Sequence, residues 1–315
     1  GLGGEGIDTA SAVVTIDQDG SVNIISGLTE MGQGMRTAHA QIVAEVLGIS
    51  LDRITFNNTD TSISMDSGPT VASRGTLAGG NAMLLAGKEL VKRLHARAAG
   101  ILQCQADDLV SEDDMIYCRS NRDRFVSFEE TVKSCLLDQG ISLSAQGWYN
   151  PGPEKLSKET GRGRAYPTYV YGCSVVELKV DTETGKVDVL KITSAHDVGT
   201  AINPQLIKGQ IYGGNLQGLG YGLLEEVEER DGRIKTGNFD DLLIPTIKDM
   251  PEIEVIIYKT DDQIGPYGAK SVGELGVELI TPAIANAIYQ ATSKRLRELP
   301  LNMERLLLGR SLSKE

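Results

Sequence analysis

The sequence lacks the marks of several common functional classes. It has 4 cysteines, Cys104, Cys118, Cys135 and Cys173, and no two stand at the CxxC spacing of zinc or iron-sulfur ligands. The chain therefore brings no cluster of its own. No run approaches the roughly 18 continuous apolar residues of a membrane helix, and no basic-then-apolar leader is present, which points to a soluble, cytoplasmic protein. Positive charge is also short: Lys+Arg 31 against Asp+Glu 43 gives a net charge of -12, which repels nucleic-acid phosphates over most of the surface. There is no GxxxxGK[ST], and neither Gly32-Gln33-Gly34 nor the run Gly218 to Gly222 completes a GxGxxG followed by an acid about 20 residues on, so a nicotinamide Rossmann site is not expected.

What is present is long enough, at 315 residues, to bury a large core in two domains. Residues 10 to 26 alternate apolar and polar on either side of Asp19-Gly20, the pattern of a tight hairpin, and the same grammar returns at 173 to 194 around Thr184-Gly185. A glycine-bearing segment and then a helix follow each hairpin. The pattern predicts an α+β fold of two related subdomains, 1–160 and 161–315, each built of β-hairpins and mixed sheet with packed helices. A long helix is expected at about 76 to 101, a strand at 252 to 258, and a helix over 281 to 298 with Pro282 in its first turn. The stretch DDLVSEDDM reads as a polar segment, and the Pro, Gly and charge content of 150 to 167 as the linker. The opening GLGGEG lacks a methionine and reads as the start of a processed chain or a fragment.

Three segments pair glycine with glutamine: Gln33 in EMGQGM, Gln210 in IKGQIYGG and Gln217 in NLQGLG. Glycine lets main-chain N-H groups approach a flat or anionic ligand, and a carboxamide can donate and accept at once, which suits a heterocycle. Turn glycines, capping amides and close helix packing along Gly209, Gly213, Gly214 and Gly218 account for the same residues equally well. In SGPTVASRGTLAGGNA, the hydroxyl of Ser73, the cation of Arg74 and successive N-H groups before a helix form either a phosphate cradle or a capping loop with a solvated arginine. His39 reads as structural and His95 as lying on an exposed basic face, while His196 ends a strand near the second glycine segment. The three are too scattered for a metal site. In GAKSVGELG, Val272 and Leu275 flank Glu274, which predicts a partly buried acid, whereas the plainer alternative is a carboxylate at the start of a helix, facing its dipole.

Taken in order, GLTEMGQGMRTAHAQIVAEVLGI (27 to 49), GPTVASRG (68 to 75), DVGTAINPQLIKGQIYGGNLQGLGYGLLEE (197 to 226) and GAKSVGELG (268 to 276) closely resemble the C-terminal half of the molybdenum-binding subunit of the xanthine dehydrogenase/aldehyde oxidase family of molybdenum hydroxylases. Within that family, a separate medium-sized molybdopterin subunit resembles the arrangement of anaerobic bacterial nicotinate dehydrogenases. The resemblance implies hydroxylation of an aromatic N-heterocycle, of nicotinate or purine type, with oxygen from water. Hydride would go to the molybdenum centre, with its sulfido or, in some members, selenido ligand, and electrons would leave through the pterin, two [2Fe-2S] clusters and FAD. It also leaves open an aldehyde oxidoreductase, a carbon monoxide dehydrogenase or a hydroxybenzoyl-CoA reductase, and, in another class, a noncatalytic scaffold.

By the same resemblance, Glu274 is the general base, with burial raising its pKa toward working pH. Gln33 and Gln210 would hydrogen-bond the pterin, and Gly32 and Gly34 would permit its close approach. Val71, Ala72, Ser73, Arg74 and Gly75 would line the metal and the pyrophosphate of a molybdopterin cytosine dinucleotide, with Lys270 and Ser271 as further contacts. No side chain ligates molybdenum, which the pterin dithiolene holds. Many relatives follow the glutamate with proline, whereas here Leu275-Gly276 follow, so the local backbone departs from the pattern. A larger molybdopterin subunit, an iron-sulfur subunit and an FAD subunit are the implied partners, met across a large permanent interface.

Overall fold

A computed structural model of the chain describes residues 9–57, 59–152, 155–157, 159–164 and 166–309. The chain divides into two compact units. The first comprises residues 1–169 and 261–271, and the second 170–260 and 272–315. The division falls at 169/170 rather than at the expected 160/161, and a short later segment belongs to the first unit, so neither half of the sequence is a unit by itself.

In the first unit, β1 (Ala10–Ile16) and β2 (Val22–Ser26) form the expected hairpin, with Gly20 at φ 81 in its turn. The inward residues Ala12, Val14, Ile16, Val22 and Ile24 are buried, as their period of two requires. Helix α1 (Met35–Leu47) follows, then β3 (Ile54–Phe56), which pairs with β2 in parallel. A π-helical turn, Gly75–Gly79, leads into α2 (Gly80–Leu102), close to the predicted long helix. Next come the meander β4 (Leu109–Glu112), β5 (Met115–Cys118) and β6 (Asn121–Ser127), the short helix α3 (Phe128–Lys133), and β7 (Ser144–Tyr149). The main sheet has the order β3-β2-β1-β7. Helix α2 packs on β7 at Gly147, where any side chain would strike the Ala82 carbonyl. The polar stretch DDLVSEDDM forms a hairpin, and a disulfide, Cys104–Cys118, ties the end of α2 to β5. In the presumed linker, β8 (Lys155–Leu156) pairs with β9 (Gly163–Arg164). Pro153, Glu154, Lys158 and Ala165 lie outside the described residues.

In the second unit, β10 (Gly172–Val180) and β11 (Val187–Asp197) form the second expected hairpin, with Gly185 at φ 74. Helix α4 (Pro204–Leu223) starts at the Asn203 cap, with Pro204 in its first turn. After the two-residue strands β12 (Glu229–Arg230) and β13 (Arg233–Ile234) and the single turn α5 (Phe239–Leu242), β14 (Glu252–Tyr258) pairs in parallel with β11. The last elements are α6 (Leu275–Glu278), α7 (Ile280–Thr292) and α8 (Met303–Leu308). Helix α7 stops at Thr292 rather than running to 298. Its Ile280, Ile284 and Ile288 pack with Val176, Ile192 and Leu219 to form the core.

The weak internal repeat is real at the level of topology. In both units an antiparallel hairpin is followed by a helix and then by a strand parallel to the hairpin's second strand: β1-β2-α1-β3 and β10-β11-α4-β14.

Candidate functional site

In the first unit, the Gly-Gln-Gly segment precedes α1. Gln33 closes its own loop: its Oε1 accepts the Met31 N-H at 2.7 Å, and its Nε2 donates to the Thr29 carbonyl at 2.9 Å. The main-chain donors of the segment meet in one carboxylate. Glu30 accepts the N-H groups of Gly32 at 2.8 Å, Gly34 at 3.0 Å and Arg36 at 2.9 Å. Burial alone would push the Glu30 pKa up, but those three N-H groups and the Arg36 charge outweigh it and hold the carboxyl below its ordinary value. Glu30 is therefore the anion of this loop and the cap of α1, a role the sequence reading missed. Its signal was an acid four residues before the left-handed glycine that starts a helix. Gly32 faces open space, with φ +106 and no atom within 4 Å of where a Cβ would stand.

The segment Val71 to Gly75 makes a tight turn. Val71 is exposed, and Ala72 and Ser73 are both left-handed, at φ 57 and 54. Such conformations are rare for residues with side chains, so the turn must be held from outside. Arg74 holds one side. Its guanidinium is fully buried and donates to the carbonyls of Ser67 at 2.6 Å, Pro69 at 2.8 Å and Thr9 at 2.6 Å. The picture of a solvated arginine is thereby corrected: the charge is neutralised by main-chain dipoles and shapes the loop. Gly75 opens the π-helical turn, a local widening often found at working sites.

His39 lies one turn into α1 and is fully buried, with its Nε2 3.0 Å from the Gly75 carbonyl. Burial drives its pKa down to about 4, against the opposing pull of that carbonyl and of Glu30. His95 is half-buried rather than on an exposed face; its Nε2 lies 2.8 Å from Ser111 Oγ, and burial lowers its pKa.

The later segment of the first unit carries Lys270 and Ser271, both buried. Lys270 Nζ donates to the Tyr169 carbonyl at 2.8 Å, and Ser271 Oγ accepts the Leu77 N-H at 2.9 Å, inside the π-helical turn. Asn81, which sequence reading passed over, bridges the Leu77 and Ile264 carbonyls from the first turn of α2. Asp262 braces the same segment by accepting the N-H groups of Ile264 at 2.7 Å and Gly265 at 3.1 Å. The structure thus brings Ser271, Leu77, Gly75 and His39 into one hydrogen-bonded neighbourhood.

In the second unit, Gln210 lies half-buried on α4, whose Gly214 and Gly218 press against Gly276, Val277 and Ile280. On the same helix Gly209 and Gly213 face open space, and Gln217 is exposed, its amide on Tyr221 Oη at 2.8 Å. The glycines of α4 therefore serve close helix packing along 214 and 218 and leave 209 and 213 uncovered. His196, buried at the end of β11 beside Gly172, has neither ring nitrogen bonded among the described residues, and burial lowers its pKa.

Glu274 is exposed, which corrects the expectation of a partly buried acid. The apolar neighbours misled: at a helix start successive side chains diverge by about a quarter turn, so Leu275 is buried while Glu274 is not. Glu274 stands at the N-cap position of α6 and makes no capping hydrogen bond to it. The plainer alternative, a carboxylate at the start of a helix, agrees with this position.

Residues 1–251 match the family model described as Molybdopterin cofactor-binding domain. The chain belongs to this family. It is 31% identical over 305 residues to "Xanthine dehydrogenase molybdenum-binding subunit" of Escherichia coli O157:H7, covering 96% of this chain and 39% of that protein. It is 32% identical over 302 residues to "Nicotine 6-hydroxylase large subunit" of Paenarthrobacter nicotinovorans, covering 94% of this chain and 36% of that one. Among solved structures, quinoline 2-oxidoreductase from Pseudomonas putida 86 superposes with a TM-score of 0.86 at 27% identity, over 96% of this chain and 38% of that chain. The chain thus spans about two fifths of the length of these relatives, and it resembles the molybdenum-binding subunits of the xanthine dehydrogenase/aldehyde oxidase family over that part. The α+β fold read from the sequence is the fold these relatives share.

The residues present fit a molybdopterin. Main chain meets a flat polar ring most readily where no side chain intervenes, and Gly32 in the first unit and Gly209 and Gly213 in the second supply such places. Among the described residues no group of His, Cys, Asp or Glu could hold a metal ion. No helix among the described residues is long and apolar enough to cross a membrane.

Proposed function

We propose that this chain is the molybdopterin-binding part of a multi-subunit molybdenum hydroxylase acting on an aromatic N-heterocycle of nicotinate or purine type, in the manner of a nicotinate dehydrogenase. The observation that carries the reading is Glu274, an exposed carboxylate at the N-cap position of α6, three residues beyond the anchored Ser271 in the sequence. Relatives named for xanthine, nicotine and quinoline chemistry support the heterocyclic class.

When bound, the cofactor supplies oxidation of a ring carbon with oxygen taken from water. This chain's residues do the rest. Gly32 and Gly34 admit the pterin, Gln33 offers it the second N-H of a carboxamide already tied to its own loop, Gln210 presents a carboxamide to it, and the turn from Val71 to Gly75, with Lys270 and Ser271, lines its metal and pyrophosphate ends. Glu274 takes the proton of the attacking water on a carboxylate oxygen. The cytosine dinucleotide form of the cofactor, a sulfido or selenido ligand, a larger molybdopterin subunit covering the length this chain does not span, and iron-sulfur and FAD subunits complete the proposal.

The test is Glu274→Gln in the complex isolated through a tag on this chain. A base gives a loss of turnover of about a hundredfold or more with molybdenum content unchanged. Turnover at the parental rate would make the chain a noncatalytic scaffold.

A further inference from the structure

The two consecutive left-handed residues Ala72 and Ser73 hold a conformation that residues with side chains rarely adopt, and it persists only where neighbours enforce it. Arg74 clamps the approach to the turn through Ser67, Pro69 and Thr9. On the far side the first carbonyl of the π-helical turn, that of Gly75, meets the side chain of His39, 36 residues earlier in the sequence.

A carbonyl can only accept, so the Nε2 of His39 carries the hydrogen and its Nδ1 is bare, a buried nitrogen without a hydrogen-bond partner among the described residues. The tautomer is therefore fixed by the bond to Gly75. Burial keeps the ring neutral, with its pKa at about 4. The slot for the ring is made by glycine: a Cβ on Gly79 would stand 2.6 Å from His39 Cε1 and 2.7 Å from Leu28 Cδ1. Phe56 closes another side, its ring centroid 6.1 Å from that of His39. Because His39 rides on α1, which begins directly after Gly-Gln-Gly, its bond to Gly75 ties the helical side of the two loops together, while Thr70 Oγ1, accepting the Thr29 N-H at 2.8 Å, ties their approach.

We propose that His39 is a positioning residue: it locks the Val71 to Gly75 turn at a fixed distance from the Gly-Gln-Gly segment, so that both present main chain to one cofactor. This rests on the reading that these two segments hold the molybdopterin. His39 touches neither metal nor substrate; it acts through the Gly75 carbonyl.

The experiment compares wild type, His39→Leu and His39→Gln, each isolated as the complex through a tag on this chain. Three quantities are read: molybdenum per chain, amide hydrogen exchange of the peptide covering 67–79, and melting temperature. Leucine fills the slot without a donor, whereas glutamine can return an N-H to the carbonyl. Positioning predicts that His39→Leu loses molybdenum by about fivefold to tenfold, the ratio a single hydrogen bond sustains. It also predicts faster exchange in 67–79 with little change in melting temperature, and recovery of most of both losses in His39→Gln. Wild-type molybdenum content and exchange in His39→Leu would overturn the proposal and leave the functional reading intact. Equal losses in both variants, in step with falling melting temperature, would overturn it in favour of packing alone. A wild-type complex without molybdenum would overturn the functional reading and this proposal with it.

Discussion

Ser271 Oγ accepts a hydrogen bond from the main-chain N-H of Leu77 at 2.9 Å, across 194 residues of sequence. The donor lies within a π-helical turn, where the usual helical ladder is interrupted, so a distant hydroxyl stands in for a carbonyl. Ser271→Ala should leave a buried N-H without a partner and destabilise the protein by about 1–3 kcal/mol in denaturant titration. Unchanged stability would mean that the π-helical turn holds without it.

Glu30 should behave as a structural anion. Its folded pKa is depressed, so the stabilisation it gives is fully present above the unfolded carboxylate value of 4.5 and is lost as pH falls through the lower folded value. At neutral pH Glu30→Gln should cost about 1 kcal/mol, as removal of a helix cap does, and the gap between variant and wild type should close in acid. A gap independent of pH would show that the charge is irrelevant.

His39, one turn into the same helix, adds a second sensitivity to acid. Its folded pKa of about 4 lies below the unfolded 6.5, so between those values the unfolded chain binds the extra proton. Stability should fall as pH drops through that window, by up to about 1.4 kcal/mol per pH unit. Comparing thermal unfolding of wild type and His39→Leu from pH 7 to 4 isolates this slope. Parallel curves would refute the assignment.

Neighbouring glycines on α4 should respond with opposite signs. A Cβ on Gly214 would stand 2.7 Å from the Gly276 carbonyl carbon, whereas one on Gly213 meets nothing within 4 Å. Gly214→Ala should push α4 off α6 and cost about 1–3 kcal/mol. Gly213→Ala should stabilise by about 0.5–1 kcal/mol, through backbone entropy alone. Equal effects in calorimetry would contradict the packing.

Local pattern made much of this legible. The two hairpins and their turn glycines follow from period-two alternation, and β14 occupies the predicted 252–258. The meander escaped because its turn is built from acids: Asp113 and Asp114 at φ 51 and 59 make a tight hairpin turn that reads as mere polarity. The Cys104–Cys118 bridge escaped because spacing alone does not pair cysteines. Site residues separated in kind. The motifs located the segments, but the internal use of Gln33, Arg74 and Glu30 depended on loop geometry that no periodicity encodes. Glu274 shows the reverse error, since apolar neighbours in sequence were taken for apolar surroundings in space.

The path of the chain carries a consequence for biosynthesis. The first unit takes its last segment from residues 261–271, after all of 170–260 has been made. A ribosome has therefore emitted most of the second unit before it releases the segment that brings Ser271 to Leu77. Until then the N-H of Leu77 has no hydroxyl to meet, and the last stitch of the first unit awaits the synthesis of most of the second.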